Sequence, residues 1–297
     1  MDKIYIFTDS SSDIPPALVE RYQIDIAPIK VTYEGRTLRE YYDITPQAYW
    51  KILEQTKDIP VTTQATPVQY LEIYQRARLA GCTHVLGVTI NAKGSGCYQS
   101  ACMARDMFYE EFGKDMTIEL VDSETYTMVY GRVVLKAAQM REMGAPFDQI
   151  VQEVRSALAR SEAVLGVYTL QFLKKSGRIS GGAAFVGEAL GLRPISHVYA
   201  GGVNVCGKVR GDKNVTQAMV NFVKEHVVGP ENQIAGLLYG DVPEERLDAL
   251  EAGLRDLGFA GVERWPIGVS VITNTGPQAL AVMYDGTPRD HLPAGKA

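Results

Sequence analysis

The chain has 297 residues, which at roughly 150 residues per domain suggests two domains or one large one. Hydrophobic residues make up 46% of it and charged residues 22%, the balance of an ordinary globular protein, which argues against a disordered chain or a coiled coil. The net charge of -5 disfavours nucleic acid as a partner, since that would call for clustered Lys and Arg.

In chain order, Ile4–Thr8 reads as a strand, and Asp13 with Pro15 and Pro16 signals a helix start. Ile24–Val31 is a second extended run, Glu34-Gly35-Arg36 a turn, and a helix should run from Thr45-Pro46 to Gln55. Thr66-Pro67-Val68-Gln69 has the form of a capping box with Pro at the first helical position, which predicts a helix to Leu79. Strand His84–Ile90, helix Cys97–Phe112, strand Thr117–Val121 and helix Thr127–Met143 follow. This alternation, with continuous apolar strands, points to an α/β fold with a parallel sheet covered by helices on both faces.

The second half is less regular. A helix after Pro146 to Arg160 leads to strand Ala163–Tyr168 and a short helix ending near Lys175. Ile195–Tyr199 and Val203–Val209 flank Ala200-Gly201-Gly202 as a β-hairpin. Helix Asn214–His226, strand Ile234–Tyr239, helix Glu244–Leu257 and two extended runs, Val269–Thr273 and Ala279–Tyr284, complete it. The expected organisation is a parallel-sheet domain over 1–160 carrying the binding loops and a mixed-sheet α/β domain over 161–297.

The uncharged window Trp265–Tyr284 is long enough to span a bilayer, but its Pro, Gly, Asn and Gln residues make it strand, turn, strand. The N-terminus opens directly into a strand pattern with no basic leader region, so no integral membrane segment is expected. Cys82, Cys97, Cys102 and Cys206 form no C-x-x-C pair and no metal spacing with the four histidines. They read as small core residues of a reduced cytoplasmic protein, with no metal.

In an open parallel sheet, ligands bind beyond the carboxyl ends of the strands. The residues there are Thr8-Asp9-Ser10-Ser11-Ser12-Asp13, Asn91-Ala92-Lys93-Gly94-Ser95-Gly96 and Asp122-Ser123-Glu124, with Thr62-Thr63-Gln64-Ala65-Thr66 preceding a helix in the same way. Such hydroxyl-rich loops at helix N-termini suit an anion, although Ser, Thr and Asp also simply cap helices. Gly94-Ser95-Gly96 lacks the nucleophile-elbow spacing, and His84, His197, His226 and His291 all lie badly for a base, so a Ser-His-Asp hydrolase is not supported. The two glycines instead let Ser95 approach a ligand closely. Gly181–Gly187 lacks the Lys-Ser/Thr ending of a phosphate loop. The basic runs at Lys174–Arg178 and Lys208–Lys213 are solvated turns or a patch for an acidic partner.

Taken together, in order and at matching spacing, these motifs resemble the DegV family of bacterial fatty-acid-binding proteins, which includes the acyl-carrying subunits of fatty acid kinase. The likeness runs from Ile4 to about Tyr284. It is carried by Thr8–Asp13, Thr62–Pro67, Lys93–Ala101, Asp122-Ser123, Leu173–Ser180, Leu192–Ile195, Lys208–Gly211 and Thr275-Gly276-Pro277. The resemblance implies two α/β domains with a fatty acid between them, its carboxylate on Thr62 and Ser95 and its acyl chain in an apolar tunnel. It puts Asn274 and Thr275 near the head group and Arg210 toward a kinase partner. It implies no catalytic residue and no cofactor, since the kinase would supply ATP and metal. The family commonly has His where this chain has Asn274, and Gly where it has Gln278. Asn can hydrogen-bond a carboxylate but cannot carry a proton or positive charge, so the change bears on cooperation with a kinase rather than on lipid binding. Two other readings are an α/β enzyme acting on a small phosphorylated or carboxylated metabolite, with Asp9 or Asp122 as acid/base, and a ligand-sensing regulator of another protein.

Overall fold

The structure, a computed structural model, describes residues 2–56, 58–169, 171–178 and 191–289. The first half runs β1 (Ile4–Asp9), α1 (Pro16–Arg21), β2 (Ile24–Ala27), β3 (Lys30–Tyr33), β4 (Arg36–Arg39), α2 (Pro46–Gln55), β5 (Val61–Thr63), α3 (Pro67–Leu79) and β6 (His84–Thr89). It continues through α4 (Cys97–Phe112), β7 (Thr117–Asp122), α5 (Met128–Glu142) and α6 (Phe147–Arg160). The second half holds β8 (Ser161–Val167), α7 (Gln171–Ser176), β9 (Leu192–Tyr199), β10 (Gly202–Arg210), α8 (Val215–His226), β11 (Ile234–Tyr239) and α9 (Glu244–Asp256). β12 (Gly261–Pro266), α10 (Val269–Thr275) and β13 (Ala279–Asp285) close it.

The first sheet, β2-β1-β6-β7, is wholly parallel, as its continuous apolar strands require. The second, β10-β9-β8-β13-β11-β12, is mixed, with β11 and β12 its parallel pair. A small antiparallel sheet, β4-β3-β5, carries Thr62 opposite Val31. Helix α5 is apolar nearly all round, from Met128 to Met140, because it is buried between β1 and β8. One continuous hydrophobic core therefore runs from the parallel sheet to the inner face of the mixed one, and a second lies between the outer face and helices α8 and α9.

The capping box is formed: Thr66 Oγ1 accepts from Gln69 N, and Gln69 Oε1 accepts from Thr66 N at 3.0 Å. Several expectations fail locally: Arg36–Arg39 and Val61–Thr63, not expected as strands, form β4 and β5, so Thr62 lies in a strand rather than in a loop. The run Ile24–Val31 is two strands in two sheets, divided at Pro28, which has no N–H for a ladder. Residues 261–266, not expected as a strand, form the edge strand β12. Val269–Thr275 is a helix rather than a strand, despite its β-branched residues. Its polar side chains bond back along the helix, Thr273 Oγ1 to Val269 O at 2.6 Å and Asn274 Nδ2 to Ser270 O at 2.7 Å, and packing overrides propensity. Among the described residues no helix is long and apolar enough to cross a membrane. Of the cysteines, Cys97 is buried, Cys82 and Cys102 are partly buried against the core, and Cys206 is exposed rather than in it. Gly181–Gly187, the Ile179-Ser180 pair and His291 lie outside the described residues.

Candidate functional site

A strand alternates faces, so β8 presents Ala163 and Leu165 on the side opposite Val164. The register sets Ala163 beside Val198, and Val198 beside Val203. Leu165 meets Ala281, and Ala281 meets Leu238. These six residues form the floor of a cavity of about 580 Å³, a size typical of sites for small organic ligands. Val129 of α5 and Val271 of α10 add further apolar wall. The two alanines are small where neighbouring strands carry Val and Leu, and that difference contributes to the trough.

The opposite wall is the carboxyl edge of the parallel sheet together with β5. Thr62, Ser95, Asn274 and Thr275 all line the cavity, so four of the five residues singled out for head-group or partner contact come together. Ser95 Oγ accepts the Cys97 N–H at 3.4 Å, and its hydroxyl also meets the Cys97 side chain, a weak sulfur acceptor. Asn274 uses one amide hydrogen on Ser270 O and keeps the other. The Thr275 hydroxyl instead donates to Val271 O at 3.2 Å, so its proton is committed to its own helix. Arg210 stands apart: exposed at the far end of β10, it lies roughly eight residue steps, about 26 Å, from Gly202. Gly202 is the end near the 91–93 loop, where Asn91 Nδ2 donates to Gly201 O at 2.9 Å.

Gly94 and Gly96 act through close approach, not through an unusual backbone. A Cβ on Gly94 would sit 2.5 Å from the Tyr126 hydroxyl, and one on Gly96 would sit 2.2 Å from the Gln64 amide. Beneath them, burial pushes the Cys97 thiol up to about 12, too high for a nucleophile at neutral pH. None of the described cavity-lining residues is a histidine. His84 starts β6, His226 ends α8, and His197 Nε2 meets Glu162 Oε2 at 2.8 Å.

The carboxylates considered as acid/base do not line the cavity. Asp9 is fully buried and accepts the Tyr130 hydroxyl and the Ile90 N–H, both at 2.7 Å. Burial pushes its carboxyl up to about 7, against those bonds. Asp122 is held by the Ala92 and Glu124 N–H groups at 3.0 and 2.9 Å, and burial raises it as well. The 9–13 loop as a whole is a seam to α10. Ser11 Oγ bonds Ser270 Oγ, and Asp13 Oδ2 accepts Gly268 N at 2.9 Å. Glu40 bridges the two sides, accepting from Ser10 Oγ and from Ser270 N at 2.7 Å each.

The fold brings two cations to the cavity wall, Lys93 from the ligand-edge loop and Arg178 from the basic run at 174–178. Lys93 Nζ donates to Ala200 O at 2.9 Å, and Arg178 Nε reaches Gly94 O at 3.4 Å. Arg178 belongs to a basic run that reads equally as solvated turn, and the chain carries no local signal of where such a turn folds back. Thr125 and Thr127 also line the cavity. Thr127 does so with φ at 58°, a costly conformation for a β-branched residue that its identity does not announce.

A family model described as "Uncharacterised protein, DegV family" matches residues 3–286. A DegV domain-containing protein of Caldanaerobacter subterraneus subsp. tengcongensis is 33% identical over 286 residues, covering 96% of this chain and 99% of the relative. The solved structure of a DegV family protein from Thermus thermophilus, described by its fatty acid binding, superposes with a TM-score of 0.84 at 28% identity. That match covers 95% of this chain and 99% of that one. A fatty acid binding DegV family protein from Streptococcus agalactiae gives 0.83 at 25% identity, over 97% of this chain and 100% of the other.

Proposed function

Because the chain belongs to the DegV family, we propose that it is a non-enzymatic carrier of a long-chain fatty acid, held with its carboxylate on Thr62 and Ser95. The observation that carries this reading is the cavity itself, an apolar trough of about 580 Å³ that ends on hydroxyl donors. The Thermus thermophilus and Streptococcus agalactiae proteins, described as binding fatty acids, support it through a shared fold and comparable length. Each buried methylene contributes about 0.8 kcal/mol, so an acid of about sixteen carbons gains roughly 11 kcal/mol before ordering costs. A hydroxyl donating to the carboxylate adds about 1.5–3 kcal/mol. Chain burial therefore sets affinity, and the hydroxyls set which end faces outward, with Lys93 and Arg178 supplying positive charge nearby. A carboxylate so placed is presented to a partner kinase, which supplies ATP and metal, and Arg210 offers a contact on a separate part of the surface. Asn274 donates a neutral hydrogen bond where a His could also bring charge.

The test begins with denaturing the purified protein, extracting it with organic solvent and identifying any lipid by mass spectrometry. A stoichiometric fatty acid is expected, and turnover of a small metabolite by the protein alone would overturn the carrier reading. Ser95→Ala should weaken fatty-acid binding roughly tenfold with an unchanged melting transition. If binding and the melting transition fall together, Ser95 is a structural cap.

A further inference from the structure

Ser95 stands between two glycines, so its own backbone does little to fix it. A hydroxyl that has to meet a carboxylate must be held by its surroundings to within about half an ångström. On the Gly94 side that support is local. Gly94 N and Ser95 N both donate to Asn91 O, at 3.0 and 3.1 Å, and the Tyr126 hydroxyl packs against Gly94. On the Gly96 side it comes from another element. Gln64 Nε2 donates to Gly96 O at 3.3 Å and to Ser100 Oγ at 3.1 Å, spending both of its hydrogens on the start of α4.

Gln64 follows Thr63, the last residue of β5, so this amide ties the strand that carries Thr62 to the loop that carries Ser95. The contact forms because Gly96 has no side chain. A Cβ there would sit 2.2 Å from Gln64 Oε1, 2.4 Å from Nε2 and 2.5 Å from Cδ. Alongside, the Cys97 thiol meets the Ala65 main chain, so the two segments lie directly against each other. Gln64 itself is exposed, and changes at such positions move folding stability by about 0.5 kcal/mol or less. Its bonds therefore matter for where they put Ser95 rather than for holding the fold.

We infer that Gln64 is a positioning residue of the site, a strut that sets the spacing between the Thr62 and Ser95 hydroxyls. This rests on the fatty-acid reading above and deepens it: a third side chain acts on the carboxylate through Ser95.

The test uses the delipidated full-length protein and hexadecanoic acid, with affinities from calorimetry arranged as a double-mutant cycle. Gln64→Ala should weaken binding about fivefold in the original protein but less than about twofold in a Ser95→Ala background, because a strut loses its effect once the hydroxyl it holds is gone. Gly96→Ala attacks the same contact from its other side, by driving a Cβ into the amide. It should cost about as much, and adding Gln64→Ala to it should cost little more. In the lipid-free protein, hydrogen exchange at the Ser95 and Cys97 amides should rise about tenfold in Gln64→Ala, with β6 and the melting temperature unchanged. The strut is overturned if the losses from Gln64→Ala and Ser95→Ala simply multiply, or if exchange at 95–97 is untouched. It is equally overturned if affinity and melting temperature fall together in both Gln64→Ala and Gly96→Ala. If hexadecanoic acid fails to bind even the unaltered protein, the fatty-acid reading falls first and this role falls with it.

Discussion

The loops at 9–13 and 91–96 start alike, each leaving a strand of the same parallel sheet with hydroxyl and carboxyl or amide side chains, yet they end in opposite roles. In the first, Asp9 accepts from Tyr130, Ser10 donates to Glu40, Ser11 bonds Ser270, and Asp13 accepts from Gly268. Its polar groups are spent on holding α10 in place, and burial raises the carboxyls of Asp9, Asp13 and Glu40. In the second, Ser95 lines the cavity and its side chain meets only its own helix start, the Cys97 N–H and thiol. A hydroxyl-rich sheet edge thus marks where something polar will sit. Whether that is a ligand or another part of the chain depends on what the second half places opposite.

The sharpest way to break this contrast is to cut the seam. Glu40→Ala removes the acceptor for both Ser10 Oγ and Ser270 N, and orphaning two buried donors should cost about 3 kcal/mol of stability. Urea denaturation measures it, and a loss of less than about 0.5 kcal/mol, the range of a surface change, would show that the seam does not hold α10. On the cavity side, Ala281→Leu should fill the trough between Leu165 and Leu238. Long-chain affinity should then fall at least tenfold, about 1.4 kcal/mol, with short acids spared and the melting temperature unchanged or raised. Equal losses for short and long acids would move the chain off this floor.

The difference between the loops also measures what the sequence could reveal. Local rules sufficed for the parallel sheet, for the capping box at Thr66 and for α4, because apolar period, Pro at N1 and cap chemistry all act within a few residues. They also put Ser95 in a loop at the sheet edge that lines the cavity, while Thr62 reaches the same cavity from β5. They could not separate the 9–13 loop from a binding loop, because its partners, Ser270 and Gly268, lie more than 250 residues away. The same blindness made α10 a strand: its β-branched residues state a preference, and only the packed environment reverses it. Arg178 acquires its place from a turn of the second half that reaches Gly94, which no spacing encodes, whereas Thr125 simply follows the Asp122–Glu124 loop at that edge.

A smaller effect, on the seam again, reads the carboxyls by pH. A carboxyl held protonated above its ordinary range lets ionisation favour the unfolded chain. Stability from this source is full below about pH 4 and declines as pH rises, for Asp9 until about 7. Asp13 is raised in the same direction, first by burial and then by Glu40. Asn tolerates its left-handed backbone, φ 55°, and can still accept from Gly268 N. Asp13→Asn should therefore flatten the decline, gaining about 1 kcal/mol at pH 8 and nothing at pH 4. A gain of equal size at both values would make the effect one of packing rather than charge.

The smallest expected effect is none. Arg210 is exposed and stands at the far end of β10 from the hairpin turn that touches the 91–93 loop. A charge that far from the head group is screened by water and salt over a Debye length of about 8 Å. Arg210→Ala should leave fatty-acid affinity within twofold of the original, where Ser95→Ala lowers it about tenfold. Measuring both variants with the same acid and buffer separates the two ends of the molecule. If lipid affinity follows Arg210, the carboxylate lies toward the far end of β10 and the assignment to Thr62 and Ser95 is reversed. If only phosphorylation of the bound acid by a kinase partner slows, Arg210 belongs to the surface that the partner meets.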